Sequence, residues 1–373
     1  FFHYYAAEVL RQIGDTADSV RPGVKVEVTR EAVGVVAIIS PWNFPTATAV
    51  WKIAPALAFG NSVIWKPANL TPASAVAFAE IIHRQGMPEG TFNLVLGGGS
   101  SVGDALINSK DIDAVSFTGS VPTGRKVAAA TAPNFVRCQL EMGSKNALVI
   151  ADDADLQVAI DAAVAGAFGG SGQKCTASSR LIVMDSIHDA FVDGVVAKVK
   201  TLKVGHALDE GIFMGPVVDD KQLASNLDWI EKAKQSGANL AFGGERLDMP
   251  HDGYYMSPTL FTETDNSWDV NQEEVFAPMA CVMRVSSLEE AIAMTNDTRF
   301  GLTGGIITQS LRNSAMFKEQ VQAGCVMVNL ATAGTDYHVP FGGRKQSSFG
   351  PREQGQYAKE FYTIVKTAYQ KAY

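Results

Sequence analysis

The sequence predicts an α/β protein built on two doubly wound parallel sheets with a small β arm. Three observations carry this reading. Short apolar runs of strand length alternate with runs of helix length along most of the chain. Glycine clusters fall at 97–99, 169–172 and 342–343, where backbone must turn tightly or approach a ligand. The chain has 373 residues, too many for one simple core, so two domains are expected.

The elements follow in order. Residues 1–13 read as the end of a helix, and 14–30 alternate polar and β-branched residues around the turn Arg21-Pro22-Gly23, an exposed hairpin. A buried strand is predicted over 34–39, a helix over 46–59 ended by Gly60, and a strand over 61–66. Thr71 and Pro72 open a helix to about Gln85, as N-cap and first helical residue. Strands over 91–96 and 114–118 alternate with helices over 102–108 and 121–130. A second βα series begins near Asn146, with strands over 147–150 and 179–183 and helices over 156–168 and 187–199. Helices over 223–236 and 288–296 and a strand over 324–329 complete it. In such sheets ligands bind at the carboxyl ends of the strands.

Hydrophobic residues make up 46% and charged residues 19%, ordinary for a globular enzyme. The net charge of -8 and the lack of a Lys/Arg-rich run argue against a nucleic-acid partner. No apolar run reaches membrane-spanning length, so no membrane partner is expected. The four cysteines are too sparse for a disulfide scaffold and lack zinc-ligand spacing, so no metal is expected and a reducing, cytoplasmic setting fits. The chain opens at Phe1 in mid-pattern, which reads as a missing N-terminal segment.

Cys175 lies in Gly172-Gln173-Lys174-Cys175, Glu141 in Leu140-Glu141-Met142-Gly143, and Asn43 in Pro41-Trp42-Asn43-Phe44-Pro45. Taken singly they read as a core thiol, a strand-end acid and a turn residue. Together, a thiol nucleophile, a carboxylate base and an amide donor are the groups acyl chemistry through a thioester requires. These motifs, with Phe117-Thr118-Gly119-Ser120 and Pro340-Phe341-Gly342-Gly343 in the same order, resemble the NAD(P)-dependent aldehyde dehydrogenase superfamily. The likeness covers essentially the whole chain. The stretches 336–345 and 350–355 look like its α-ketoglutaric semialdehyde dehydrogenase branch.

The resemblance implies two Rossmann-like domains: a dinucleotide-binding domain at 1–142 with an oligomerisation arm at 15–30, a catalytic domain at 143–352, and an oligomerisation segment at 353–373. It implies oxidation of an aldehyde to an acid, with Cys175 as nucleophile, Asn43 and the Cys175 N–H as oxyanion donors and Glu141 as base for water. Lys52 and Glu353 read either as a proton relay near Glu141 or as a structural ion pair.

No clean G-x-G-x-x-G follows the first strand. The loops around Gly99 and Gly103, and Phe117, Gly119, Ser120 and Thr123 opening a helix, are implied to hold the dinucleotide with Ser40, Pro41, Trp42 and Lys66. Glu274 and Phe276 are implied to meet its nicotinamide half. Asn69 stands where NAD-preferring members commonly carry Glu, which removes a repulsion of the 2′-phosphate. NADP is therefore expected to be accepted, with NAD still usable. Phe44, Phe168 and Phe341 are candidate walls for the aldehyde, although aromatics at such positions are more often core. Ser144 departs from the usual glycine of the Glu141 motif.

The expected partners are a small aldehyde or semialdehyde and further copies of the chain, as a dimer or a dimer of dimers. Two rivals stand beside this reading: a CoA-acylating relative, against which Glu141 argues, and a non-catalytic protein using the same fold.

Overall fold

Strands whose residues are apolar at consecutive positions bury both faces, which requires helices on either side. Val36, Ala37 and Ile38 are fully buried in this way, as are Leu148, Val149 and Ile150. The structure is a computed structural model and describes residues 1–372. It divides into two compact units.

The first unit comprises Phe1–Met142, Thr335–Gly342 and the chain from Ser348 onward. Its six-stranded sheet runs Ser348–Phe349, Arg137–Glu141, Ala114–Thr118, Val35–Ile39, Ser62–Lys66, Phe92–Leu94. All neighbours are parallel except the first pair. The helices Ala47–Ala58 and Pro72–His83 pack with Tyr5, Phe361 and Tyr362 into one apolar core. Pro72 sits in the first helical turn as expected, but the Thr71 side chain makes no capping hydrogen bond.

A separate three-stranded antiparallel sheet joins Asp15–Asp18, Val24–Ala32 and Thr363–Lys371. The predicted hairpin thus takes the C-terminal strand as its third member, in register from Thr363 opposite Ala32 to Lys371 opposite Val24.

The second unit comprises Gly143–Gly334 and Gly343–Ser347. Its seven-stranded sheet runs Asn239–Phe242, Thr259–Thr262, Met279–Val285, Ser178–Met184, Asn146–Ile150, Thr303–Ile307, Cys325–Val328, antiparallel only at Asn239–Phe242. Leu148 and Ile150 enter one cluster with the helices Leu156–Phe168 and His188–Val199. Ala147 and Val149 enter another with Leu288–Asn296 and Leu311–Gln320. The alternation of side chains across each strand sorts them to opposite faces.

The sequence reading ran the second domain from 143 to 352. In the structure 335–342 and 348–352 pack within the first unit instead, because Ser348 and Phe349 add a strand to its sheet and Phe341 bridges backbone to Glu353.

Candidate active site

In the second unit, the helix Leu156–Phe168 stops where Gly170, Ser171 and Gly172 adopt left-handed backbone. Gly172 is required there, since a Cβ would lie 2.0 Å from the Ala277 carbonyl oxygen. The loop is then pinned from several sides. Ser171 Oγ donates to Gly215 O at 2.8 Å, and Gln173 Oε1 accepts from Val218 N at 2.9 Å. Asn146 Nδ2 donates to Cys175 O at 2.8 Å, and Thr332 Oγ1 to Thr176 O at 2.7 Å. Cys175 is therefore held by its own carbonyl and both neighbours, with its side chain part-exposed.

Lys174 Nζ donates to Ala165 O at 3.0 Å in the last turn of that helix. Burial pushes its amine down to about 8, opposed by attraction to Cys175.

Glu274, in the same unit, does not lie in solvent as a loop acid would. Its Oε1 accepts from Ser144 N at 3.0 Å, and a Cβ at Gly143 would fall 1.9 Å from its Oε2, so the turn after Met142 forms a cradle for the carboxylate. Burial pushes its pKa up to about 7, against the opposing pull of the Ser144 N–H and Lys145. Burial likewise pushes Lys145 down to about 8. A cavity of about 20 Å³, room for one water, is lined by Ser144, Lys145, Lys174, Glu274 and Phe276 among others. Phe276 has left-handed backbone, φ 60°. Gln272 Nε2 anchors the preceding turn on Asn266 O and Asp297 O, and Arg299 grips both oxygens of Glu273.

In the first unit, Glu141 ends the strand Arg137–Glu141 and is buried. Ser348 Oγ donates to Glu141 Oε2 at 2.6 Å. Burial, then the neighbouring Glu353, holds the Glu141 carboxyl well above the ordinary range, with Ser348, Lys52 and Arg352 pulling it back. Lys52 Nζ donates to Glu353 Oε1 and, at 3.1 Å, to Ser116 Oγ. Lys52 and Glu353 are both buried, and Glu353 Oε2 has no hydrogen-bond partner among the described residues. Burial raises Glu353 as well. Two buried carboxyls beside one lysine cannot both ionise cheaply.

Asn43 occupies the bend between the strand Val35–Ile39 and the helix Ala47–Ala58, with Pro41 and Trp42 before it. Ser40 is buried and accepts from Trp65 Nε1 at 2.9 Å. Lys66 ends the strand Ser62–Lys66, and burial lowers its amine. A Cβ at Gly103 would lie 3.8 Å from the Lys66 methylenes, and one at Gly98 3.9 Å from Asn69 Nδ2, so Lys66, Asn69 and the turn Gly99–Gly103 come together.

Phe117 closes on Gly119, where a Cβ would lie 2.6 Å from its ring. Ser120 and Thr123 share a 3.0 Å hydroxyl contact at the start of the helix Val121–Thr131, whose N-terminus has no side-chain cap bond. Uncapped N–H groups beside a glycine cradle fit a dinucleotide phosphate.

Of the candidate walls, Phe44 is exposed at the bend and Phe341 is buried against Trp51 with ring centroids 5.4 Å apart. Phe168 is corrected to a core residue, because the last turn of its helix faces the sheet and buries the ring completely.

Residues 1–368 match the family described as the aldehyde dehydrogenase family. The chain belongs to the aldehyde dehydrogenase family. It is 42% identical over 370 residues to an α-ketoglutaric semialdehyde dehydrogenase of Bacillus subtilis, covering 99% of this chain and 76% of that protein. It is 38% identical over 375 residues to a betaine aldehyde dehydrogenase of the same organism, covering 99% and 75%. A crystal structure of betaine aldehyde dehydrogenase from Staphylococcus aureus in complex with NAD+ matches with TM-score 0.95 and 36% identity, over 99% of this chain and 73% of that one.

In this aldehyde dehydrogenase, sequence reasoning missed Ser348, Arg352 and Ser116 around Glu141, and Lys145 and Lys174 around Glu274 and Cys175. Lys174 could have been noticed as a cation adjacent to the thiol. Ser348 carries no local signal, since only strand pairing with Glu141 brings it in.

Proposed function

We propose that this aldehyde dehydrogenase oxidises an aldehyde to a carboxylic acid through a thiohemiacetal and a thioester on Cys175, and that its substrate is a semialdehyde such as α-ketoglutaric semialdehyde. The observation carrying the reading is the pairing of two features. The Cys175 loop is fixed beside a lysine, and Glu141 is a buried carboxyl of raised proton affinity.

The Cys175 thiolate attacks the aldehyde carbon, and the Asn43 amide with the Cys175 N–H stabilises the oxyanion. Losing one such donor costs roughly 10²–10³ in kcat. A bound nicotinamide dinucleotide, NADP or NAD, supplies the acceptor for the hydride that leaves this carbon. Lys66, Asn69, Gly99, Gly103, Gly119 and Ser120 hold its phosphate and adenosine side, and Glu274 and Phe276 its nicotinamide side. Glu141 then takes a proton from the water that attacks the thioester, and Lys52 with Glu353 passes that proton on. The acid leaves and the thiolate is restored. Sparse free thiols support a reducing cytoplasmic setting, and the exposed three-stranded arm supports assembly with further copies of the chain.

The test is a panel of semialdehydes and betaine aldehyde, assayed with both cofactors on the parent, Cys175→Ser and Asn69→Glu chains. Turnover should vanish in Cys175→Ser, and kcat/KM should be highest for a dicarboxylic semialdehyde. Asn69→Glu should lower kcat/KM for NADP by at least about tenfold while sparing NAD. A higher kcat/KM for betaine aldehyde would overturn the substrate, and full turnover in Cys175→Ser would overturn the mechanism.

A further inference from the structure

The general base is held by a hydroxyl that its own motif does not supply. Ser348 stands opposite Glu141 in the antiparallel pair that adds Ser348–Phe349 to the sheet edge, with Phe349 opposite Leu140. This register delivers the hydroxyl to the carboxylate at 2.6 Å. The other side of the carboxylate is closed as well. A Cβ at Gly342 would lie 2.7 Å from Glu141 Oε1 and 2.7 Å from Arg352 Nη1, so the acid and the guanidinium both occupy the space that glycine leaves. Gln139 Nε2, two residues before Glu141, donates to Pro351 O at 2.9 Å and ties the returning chain to the same strand. The charged groups facing Glu141 in this unit are Arg352 and Glu353 from the returning chain and Lys52 from the helix Ala47–Ala58.

We infer that Ser348 is a positioning residue for the base: its hydroxyl grips the ionised carboxylate of Glu141 and holds it ready to receive the proton of the attacking water. This rests on the reading of Glu141 as that base. A hydrogen bond to the ionised form favours ionisation, so removing it raises the carboxyl's proton affinity further above the ordinary range. The base must be ionised to act, so deacylation is lost as pH falls through its pKa, and the loss of the hydroxyl moves that limb upward.

An activated ester isolates the step without cofactor. With 4-nitrophenyl acetate, the Cys175 thiolate attacks the carbonyl, the ester C–O bond breaks and nitrophenolate leaves as a burst. Water then attacks the acetyl thioester with one proton passing to Glu141, the C–S bond breaks to restore the thiolate, and acetic acid leaves and gives its remaining proton to solvent. The steady-state rate is measured against pH for the parent, Ser348→Ala, Ser348→Thr and Glu141→Gln chains, with thermal melting as a check of folding.

In Ser348→Ala the burst should remain and the acid limb should move up by about one pH unit, the size expected for one hydrogen bond to a charged group. Ser348→Thr, which keeps the hydroxyl and suits a strand, should restore the parent limb. A Ser348→Ala limb that superimposes on the parent's, while Glu141→Gln abolishes the steady state, overturns the role of Ser348 alone. An undiminished steady state in Glu141→Gln overturns the reading of Glu141, and the role of Ser348 falls with it.

Discussion

Glu141 is a buried carboxyl and Glu274 a half-buried one, both with raised proton affinity, yet the two units satisfy them by different means. In the first unit Glu141 is met by side chains: a serine hydroxyl, an arginine, a lysine and a second carboxyl. In the second unit Glu274 is met first by backbone, the Ser144 N–H above a glycine that leaves no room for anything else. Side-chain partners can be substituted one at a time, and the charge of Glu353 acts on Glu141. A backbone cradle is fixed by the fold, and the acid in it responds mainly to burial. The first arrangement ties the acid to several replaceable groups, the second mainly to one turn of backbone.

The comparison is broken most severely at Lys52. In Lys52→Met, Glu353 loses its charge partner while fully buried, which should cost about 3–5 kcal/mol of stability in urea unfolding at neutral pH. The double change Lys52→Met with Glu353→Leu should recover most of that loss. If the single change is silent, the pair is not what neutralises this cluster.

Glu274→Gln sharpens the contrast through pH. The native acid holds its proton up to about 7, above its unfolded value, so its contribution to stability is full below the unfolded pKa and is lost as pH rises toward 7. The amide removes that loss. Glu274→Gln should therefore be more stable than the parent by about 2 kcal/mol at pH 8 and nearly equal at pH 5, in parallel denaturant titrations. The same chain should show a raised KM for the cofactor.

The smallest effect is expected at Ser144. Its hydroxyl accepts from Leu302 N at 3.3 Å, a long bond, whereas the N–H that meets Glu274 belongs to the backbone. Ser144→Gly should lower the melting temperature slightly, by the equivalent of about 1 kcal/mol, and leave the pH dependence traced to Glu274 unmoved. A displaced pH profile would mean that the side chain, and not the backbone, sets the cradle.

Much of the fold was legible because its strands and helices carry their own period. The helices Leu156–Phe168 and Leu288–Asn296 begin and end where the sequence predicts. The helix Leu311–Gln320 was missed because Phe317 alone is buried, leaving no apolar stripe to read. The strand Met279–Val285 was missed because neighbours on both faces bury it, which erases the alternation. The residue types of the candidate site stand in short motifs. The surroundings of Glu141 were not, since Ser348 lies 207 positions away and reaches it only through sheet pairing.

Lys52 meets Glu353 across 301 positions of chain, and the first unit is assembled from three separate segments. The second unit is nearly continuous. Contacts of such long sequence separation form late, because loop-closure entropy must be overcome first. During refolding the second unit can therefore consolidate while Lys52 is still hydrated. The buried ammonium therefore has its carboxylate only once the returning segment is in place, so the charge balance of the first unit depends on chain that comes last in sequence.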